Sequence, residues 1–406
     1  MRRSAPGLLL TVLLGISMLP GASADSASPK TWQARMRALA ATTNELLPQL
    51  VSRHPDKAVV LEHAQTLADL AHAVRDDAAR KMTRPPGDAD ASLPILAGQF
   101  AEDARAAYAA LRGGQFDYGV DLLRSVTSHC LACHTRHEAD PGIPRFPLSP
   151  KMDALGRVEQ ADLLTAIRRF EEALAEYQAI AADDKFANAH QIEWERAVRH
   201  GLSLAVRVKQ SPEAALQIVE DARTQGAAPE FLRQNAARWE AALNKWKAET
   251  AAGAGKNPAD TEPALYERMK RLFTEAQAAQ EYPAYKGANV EYLRASAAAH
   301  DLLARFPDSK RAAEALYIAG MAYDVIGDAT VWPSHQLYFE ACVHRAPHSQ
   351  MAARCYERFE QAVYLGYSGS GGTFIPEDMV KRMTALKRIA EPIDTRARHR
   401  RKPKLN

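Results

Sequence analysis

The chain has 406 residues, room for two or three domains, and a formal charge of only +3 at neutral pH. Such a balance gives no argument for nucleic acid as a partner. Its four cysteines are too few for a disulfide-built scaffold.

Residues 1–24 read as a secretory signal peptide. Arg2 and Arg3 supply a positive start, Leu8 to Leu19 an apolar run too short to cross a bilayer, and Ala22-Ser23-Ala24 a small-residue cleavage site. No cysteine follows that site, so no lipid anchor is expected there. No later stretch is apolar for long enough to form a transmembrane span. The expectation is an exported, periplasmic protein.

Four helical stretches follow within residues 25–142. The first, near 31–52, carries Trp32, Met36, Leu39, Leu46 and Leu50 on one stripe. His54-Pro55-Asp56 breaks it and favours a new helix start. The second, near 56–82, carries Val60, His63, Leu67, Leu70 and Val74 and stops at Arg84-Pro85-Pro86-Gly87-Asp88. The third, near 92–112, carries Leu93, Leu96, Phe100, Ala107 and Leu111 and ends at Gly113-Gly114. The fourth begins near Gln115 and puts Phe116, Val120, Leu123, Thr127, Cys130 and His134 on one stripe. Helices of this length with short connections pack up-down-up-down, so an all-α four-helix bundle is expected.

The fourth helix ends in Cys130-Leu131-Ala132-Cys133-His134, a haem attachment motif of the Cys-x-x-Cys-His type. Two thiols add across the haem vinyl groups. One helical turn brings Cys130, Cys133 and His134 to a shared face, so the imidazole meets the iron of a ring tethered at two edges. A thioredoxin-like redox pair wants a βαβ context, and a zinc site wants a second cysteine pair nearby. The next cysteine is Cys342. One covalent haem c is therefore expected, held by Cys130 and Cys133 with His134 as axial iron ligand. Covalent haem attachment in bacteria follows export, so signal and motif agree.

The first third of the chain resembles the cytochrome c′ family, four-helix bundles with a single motif near the end of helix four. In the larger class I cytochromes the motif lies near the N-terminus instead. The resemblance covers about 115 residues. In an up-down bundle the haem end adjoins the start of helix one, where Met36 lies, and the end of helix two, where Met82 lies. His54 is 18 residues beyond Met36, about 27 Å of helix rise, too far for the same iron. Low-spin members of the family use a methionine on helix one, which makes Met36 the candidate sixth ligand. Its other reading is core filler. With Met36 unbound the iron is five-coordinate and open to NO or CO. His129 and His137 are read as surface residues, Met82 as a helix-end residue and His63 as a core histidine. Arg35 and Arg37 are candidate partners for haem propionates. Bundles of this kind often dimerise through their first helices, so the resemblance also implies a homodimer.

Pro141 to Pro150 holds four prolines in ten residues and cannot continue a helix, so 143–157 is the expected linker. Residues 158–391 are again helical, with pieces near 158–181, 187–209, 212–224, 229–249, 263–280, 286–306, 309–327, 334–346, 348–366 and 376–391. Phe306-Pro307-Asp308-Ser309, the small residues Ala315, Ala319, Gly320 and Ala322, and a second turn at Arg345-Ala346-Pro347-His348-Ser349 resemble the tetratricopeptide repeat of envelope proteins. That implies an α-solenoid able to dock a partner. Cys342 and Cys355 stand five residues before Pro347 and eight after it. Antiparallel packing then puts them at one level, so a disulfide is expected, with two buried thiols as the other reading. Gly369-Ser370-Gly371-Gly372-Thr373 lacks the lysine of a phosphate loop and reads as a loop. The basic tail, 392–406, could touch acidic headgroups as a peripheral membrane contact, or be a solubilising end.

No catalytic constellation stands out, so an electron carrier rather than an enzyme is expected, with a redox protein as partner. Two other readings stay open: a five-coordinate gas-binding haem protein, and an envelope assembly scaffold with an accessory haem.

Overall fold

The computed structural model describes residues 31–82, 93–126, 128–135, 152–252, 261–327 and 334–392, and the protein is all-α. The signal peptide, residues 136–151, which include His137 and the upstream part of the expected 143–157 linker, and the basic tail from 393 lie outside these residues, as does the side chain of Met82. No helix among the described residues is long and apolar enough to cross a membrane.

The first set of helices is α1 (Trp32–Val51), α2 (Lys57–Met82), α3 (Leu93–Arg112), α4 (Phe116–Val126) and α5 (Ser128–His134). Thr31 caps α1 by accepting from Ala34 N at 3.2 Å. Asp56 starts α2 by accepting from Ala58 N at 2.9 Å. Arg35 at the start of α1 pairs with Asp77 near the end of α2, so the two helices run antiparallel. Gly114, with φ +80°, makes the turn into α4. Arg124 Nη2 on α4 donates to Leu50 O at the end of α1, 2.5 Å away. Leu46, Leu50, Val60, Leu67, Phe100, Leu111, Val120 and Leu123 form the shared core.

The expected fourth helix is described in two stretches either side of residue 127: α4 to Val126, and α5 from Ser128, which carries the cysteine motif. Thr127 lies outside the described residues.

The second set is α6 (Arg157–Ala166), α7 (Phe170–Ala181), α8 (Asp184–Ala189), α9 (Gln191–Ser203), α10 (Pro212–Thr224), α11 (Glu230–Ala251), α12 (Glu262–Ala279), α13 (Asn289–Arg305), α14 (Ala312–Ile326), α15 (Ser334–Arg345), α16 (Gln350–Gly366) and α17 (Glu377–Ala390). Neighbours in sequence pack on one another through most of this set, notably α10 on α11 and the run from α12 to α17. Where α9 ends, the chain widens into a π-type turn over Leu204–Val208, with Lys209 N bonded to Leu204 O at 3.0 Å. Ser368–Gly369 and Gly372–Thr373 form a two-stranded hairpin in the stretch expected to be a loop. Cys342 on α15 and Cys355 on α16 are joined as a disulfide with Cα atoms 6.1 Å apart.

The two sets share a small apolar core. Ala40 on α1 packs with Leu155, Leu163 and Ile167, and Met36 and Leu47 lie against the same cluster. Leu155 belongs to the downstream end of the expected linker, yet it is buried here. α6 thus shares an apolar cluster with α1 and packs on α5.

Candidate haem site

The site is built on α5 and held from two sides. On one side His129 is buried against α3, its Nε2 2.7 Å from Asp103 Oδ2 and its ring 5.8 Å from that of Phe100. This differs from the surface placement expected for His129. The reason is that the face of α5 carrying His129 is packed against α3. Asp103 Oδ1 is engaged in turn by Gln99 Nε2 at 2.7 Å.

On the other side His134 Nδ1 meets the backbone carbonyl of Ala166, the last residue of α6. A carbonyl can only accept, so the proton must sit on Nδ1 and the lone pair on Nε2. The carbonyls of a helix's last turn lack helical partners, and this one is satisfied by the imidazole. Burial pushes the His134 pKa down to about 4, against the Ala166 hydrogen bond and with help from Arg168, so the ring is neutral at ordinary pH. Arg168 itself holds φ +65°, a left-handed conformation that costs a non-glycine residue roughly 1–2 kcal/mol. That strained residue ends α6 where the carbonyl is needed.

Cys130 and Cys133 are thiols, half-buried, on the same short helix. Burial, reinforced by Cys133, pushes the Cys130 thiol up to about 12. A redox-active pair needs an accessible low-pKa thiolate, and this thiol is the opposite. Among the described residues no group of three or more His, Cys, Asp or Glu side chains forms a metal cage. A haem iron needs none, since the porphyrin supplies its equatorial ligands. A neutral imidazole with a free Nε2 lone pair, beside two thiols, fits such a group.

Met36 is half-buried and packs against the cluster that includes Ile167, the residue after the His134 acceptor. His134 and Met36 are therefore tied to the same end of α6. Arg35 is engaged by Asp77 and by Ala73 O at 3.3 Å, while Arg37 is exposed. His54 is exposed and His63 half-buried, both on the α1–α2 turn side. Trp32 packs on the edge of the first core.

Two buried polar clusters lie behind the site, and neither was foreseen from sequence. In the first, Asp162 on α6 accepts from Tyr177 OH and His200 Nδ1, both at 2.6 Å, and from Arg196 Nη2 at 2.7 Å. Burial raises the Asp162 pKa, but His200 and Arg196 with these hydrogen bonds outweigh it and hold the carboxyl at about 2. In the second, Arg207 of the π-type turn donates to Tyr323 OH and reaches Thr135, the residue after His134. An arginine inside the apolar run Leu204 to Val208 was the available signal.

Comparison of the chain with family models, curated proteins and solved structures finds no match.

Proposed function

We propose that the chain is a mono-haem c-type cytochrome that carries single electrons. Bound covalently, the haem supplies a one-electron couple at its iron. Cys130 and Cys133 hold the ring, and His134 presents Nε2 as axial ligand. Met36 is the proposed sixth ligand. The observation that carries the reading is the Nδ1–H bond from His134 to Ala166, which fixes the tautomer a metal-binding histidine requires. The signal-peptide reading makes the protein periplasmic, and the tail makes peripheral membrane contact. The first helices form a four-helix bundle of the cytochrome c′ kind.

The later helices we read as a solenoid of tetratricopeptide type that docks a redox protein. Support comes from Arg345, in the second proline turn, whose Nη2 donates to Pro307 O in the first at 2.8 Å. Equivalent turns of successive repeats stand beside each other in a solenoid.

The test is the optical spectrum of the full chain matured in a bacterial periplasm, oxidised and reduced, with and without CO, beside Met36→Ala. Covalent haem is quantified first by the pyridine haemochrome. A low-spin spectrum with a weak far-red methionine band, lost in Met36→Ala and untouched by CO in the wild type, is expected. Absence of covalent haem refutes the cytochrome. A high-spin wild type that responds to CO, unchanged by Met36→Ala, refutes Met36 as ligand and makes the protein a gas binder.

A further inference from the structure

Arg207 is 1 % exposed, among the most deeply buried large side chains of the chain. Its Nη1 lies 3.4 Å from Thr135 Oγ1, its Nη2 donates to Tyr323 OH, and its Nε has no hydrogen-bond partner. The guanidinium carbon sits 5.1 Å from the centre of the Tyr323 ring. Tyr323 OH is in turn 3.0 Å from His300 Nε2, and the Tyr323 ring stacks on Tyr338 at 4.8 Å. Thr135, Tyr323 and Tyr338 carry uncharged hydroxyl groups, and none of these neighbours is a carboxylate. Among the described residues no carboxylate is paired with Arg207, whereas Arg35, Arg157, Arg196, Arg199 and Arg294 all have one.

A guanidinium cannot shed its proton, and burying a charge with no carboxylate beside it among the described residues is costly. A core that only needed filling would hold an apolar side chain in the run Leu204 to Val208. The π-type turn instead carries the cation inward, to the residue that follows His134. A positive charge held in a low-dielectric interior stabilises whichever neighbouring state is more negative. For a haem on Cys130, Cys133 and His134, that is the reduced state.

We propose that Arg207 is a positioning residue for the redox couple: a buried cation that the helical segment inserts behind the haem attachment helix to raise the reduction potential. This rests on the cytochrome reading above. The step is one electron, accepted by the iron from a one-electron reductant, with no bond made or broken. The charge of Arg207 is unchanged throughout. The helical segment then sets the potential of the haem as well as offering a docking surface.

The experiment is a mediated spectroelectrochemical titration of the full-length holoprotein. Arg207→Gln and Arg207→Met, the second matching the stem in volume, are expected to shift the midpoint to more negative potential. Arg207→Lys, which keeps the charge, is expected to stay near the wild type. Tyr323→Phe removes the hydroxyl but not the cation, so a merely structural role for Arg207 predicts a negative shift there too, and ours predicts none. Arg238→Gln makes the same change in net charge at a side chain 65 % exposed and is expected to leave the midpoint in place. Where the neutral variants fail to fold, Tyr323→Glu places a carboxylate against Arg207 and is expected to lower the midpoint. Covalent haem with a wild-type midpoint in the neutral variants, or in Tyr323→Glu, overturns this inference alone. A wild type with no covalent haem overturns the cytochrome reading and this inference with it.

Discussion

Asp162→Asn is the most informative single change to the scaffold behind the site. Asp162 is 13 % exposed and is gripped by His200, Tyr177 and Arg196 from α9 and α7. Its carboxyl is held at about 2 against an ordinary 3.8. The folded state therefore prefers the ionised form, and the contribution is complete above the unfolded value and lost as pH falls through the folded one. The gap corresponds to about 2 kcal/mol at pH 5 and above, and to about 1 kcal/mol at pH 3. Asp162→Asn should remove that amount at neutral pH and progressively less in acid. A chain of this length is not expected to unfold in two states, so the assay is native-state hydrogen exchange read on the peptides of α6, α7 and α9. Protection there should fall by roughly thirtyfold at pH 7, the factor equivalent to about 2 kcal/mol. Equal protection at pH 7, or a deficit that does not shrink in acid, would show that the cluster is ordinary packing and that its charge contributes nothing.

Three further outcomes follow from packing. In Gly320→Ala the new Cβ would stand 2.6 Å from the fully buried Phe339 ring, so native-state hydrogen exchange should show a loss of about 1–3 kcal/mol where α14 meets α15. Replacing Cys342 and Cys355 by serine removes a link across 13 residues and should cost about 3 kcal/mol in the native-state exchange of α15 and α16. Asp103→Ala leaves His129 buried without its carboxylate and should cost about 1–3 kcal/mol, seen as faster exchange in α5 and a lower yield of covalent haem.

The helices were legible because their apolar residues recur at helical spacing and their ends carry strong punctuation. The stretches expected near 263–280 and 376–391 are α12, Glu262–Ala279, and α17, Glu377–Ala390, each entered through a proline. The division of 158–181 into α6 and α7 was not legible. It falls at Ile167 to Arg169, where neither glycine nor proline stands, and is made by Arg168 in a left-handed conformation. Tertiary contact decides such a break: Ala166 O turns to His134 instead of continuing the ladder. The burial of His129 was hidden for the same reason, since helical periodicity reports one apolar face and says nothing of a second partner arriving from another part of the chain. The motif residues themselves stand out in the sequence because their spacing is local.

That second partner changes how the haem reading should be framed. A five-residue motif cannot hold an imidazole in one tautomer by itself, and here the acceptor comes from 32 residues downstream. The apolar seal around Met36 is likewise shared, with Leu155, Leu163 and Ile167 arriving from beyond the expected linker. Arg207 approaches Thr135 from farther still. Each of these contacts belongs to a segment that a cut at residue 142 would delete. A shortened chain ending there would keep both cysteines and His134 but lose the carbonyl that aims the ring, so heterogeneous ligation is expected in it even where haem attaches. A homogeneous wild-type spectrum from residues 25–142 alone would refute the view that the helical segment completes the site.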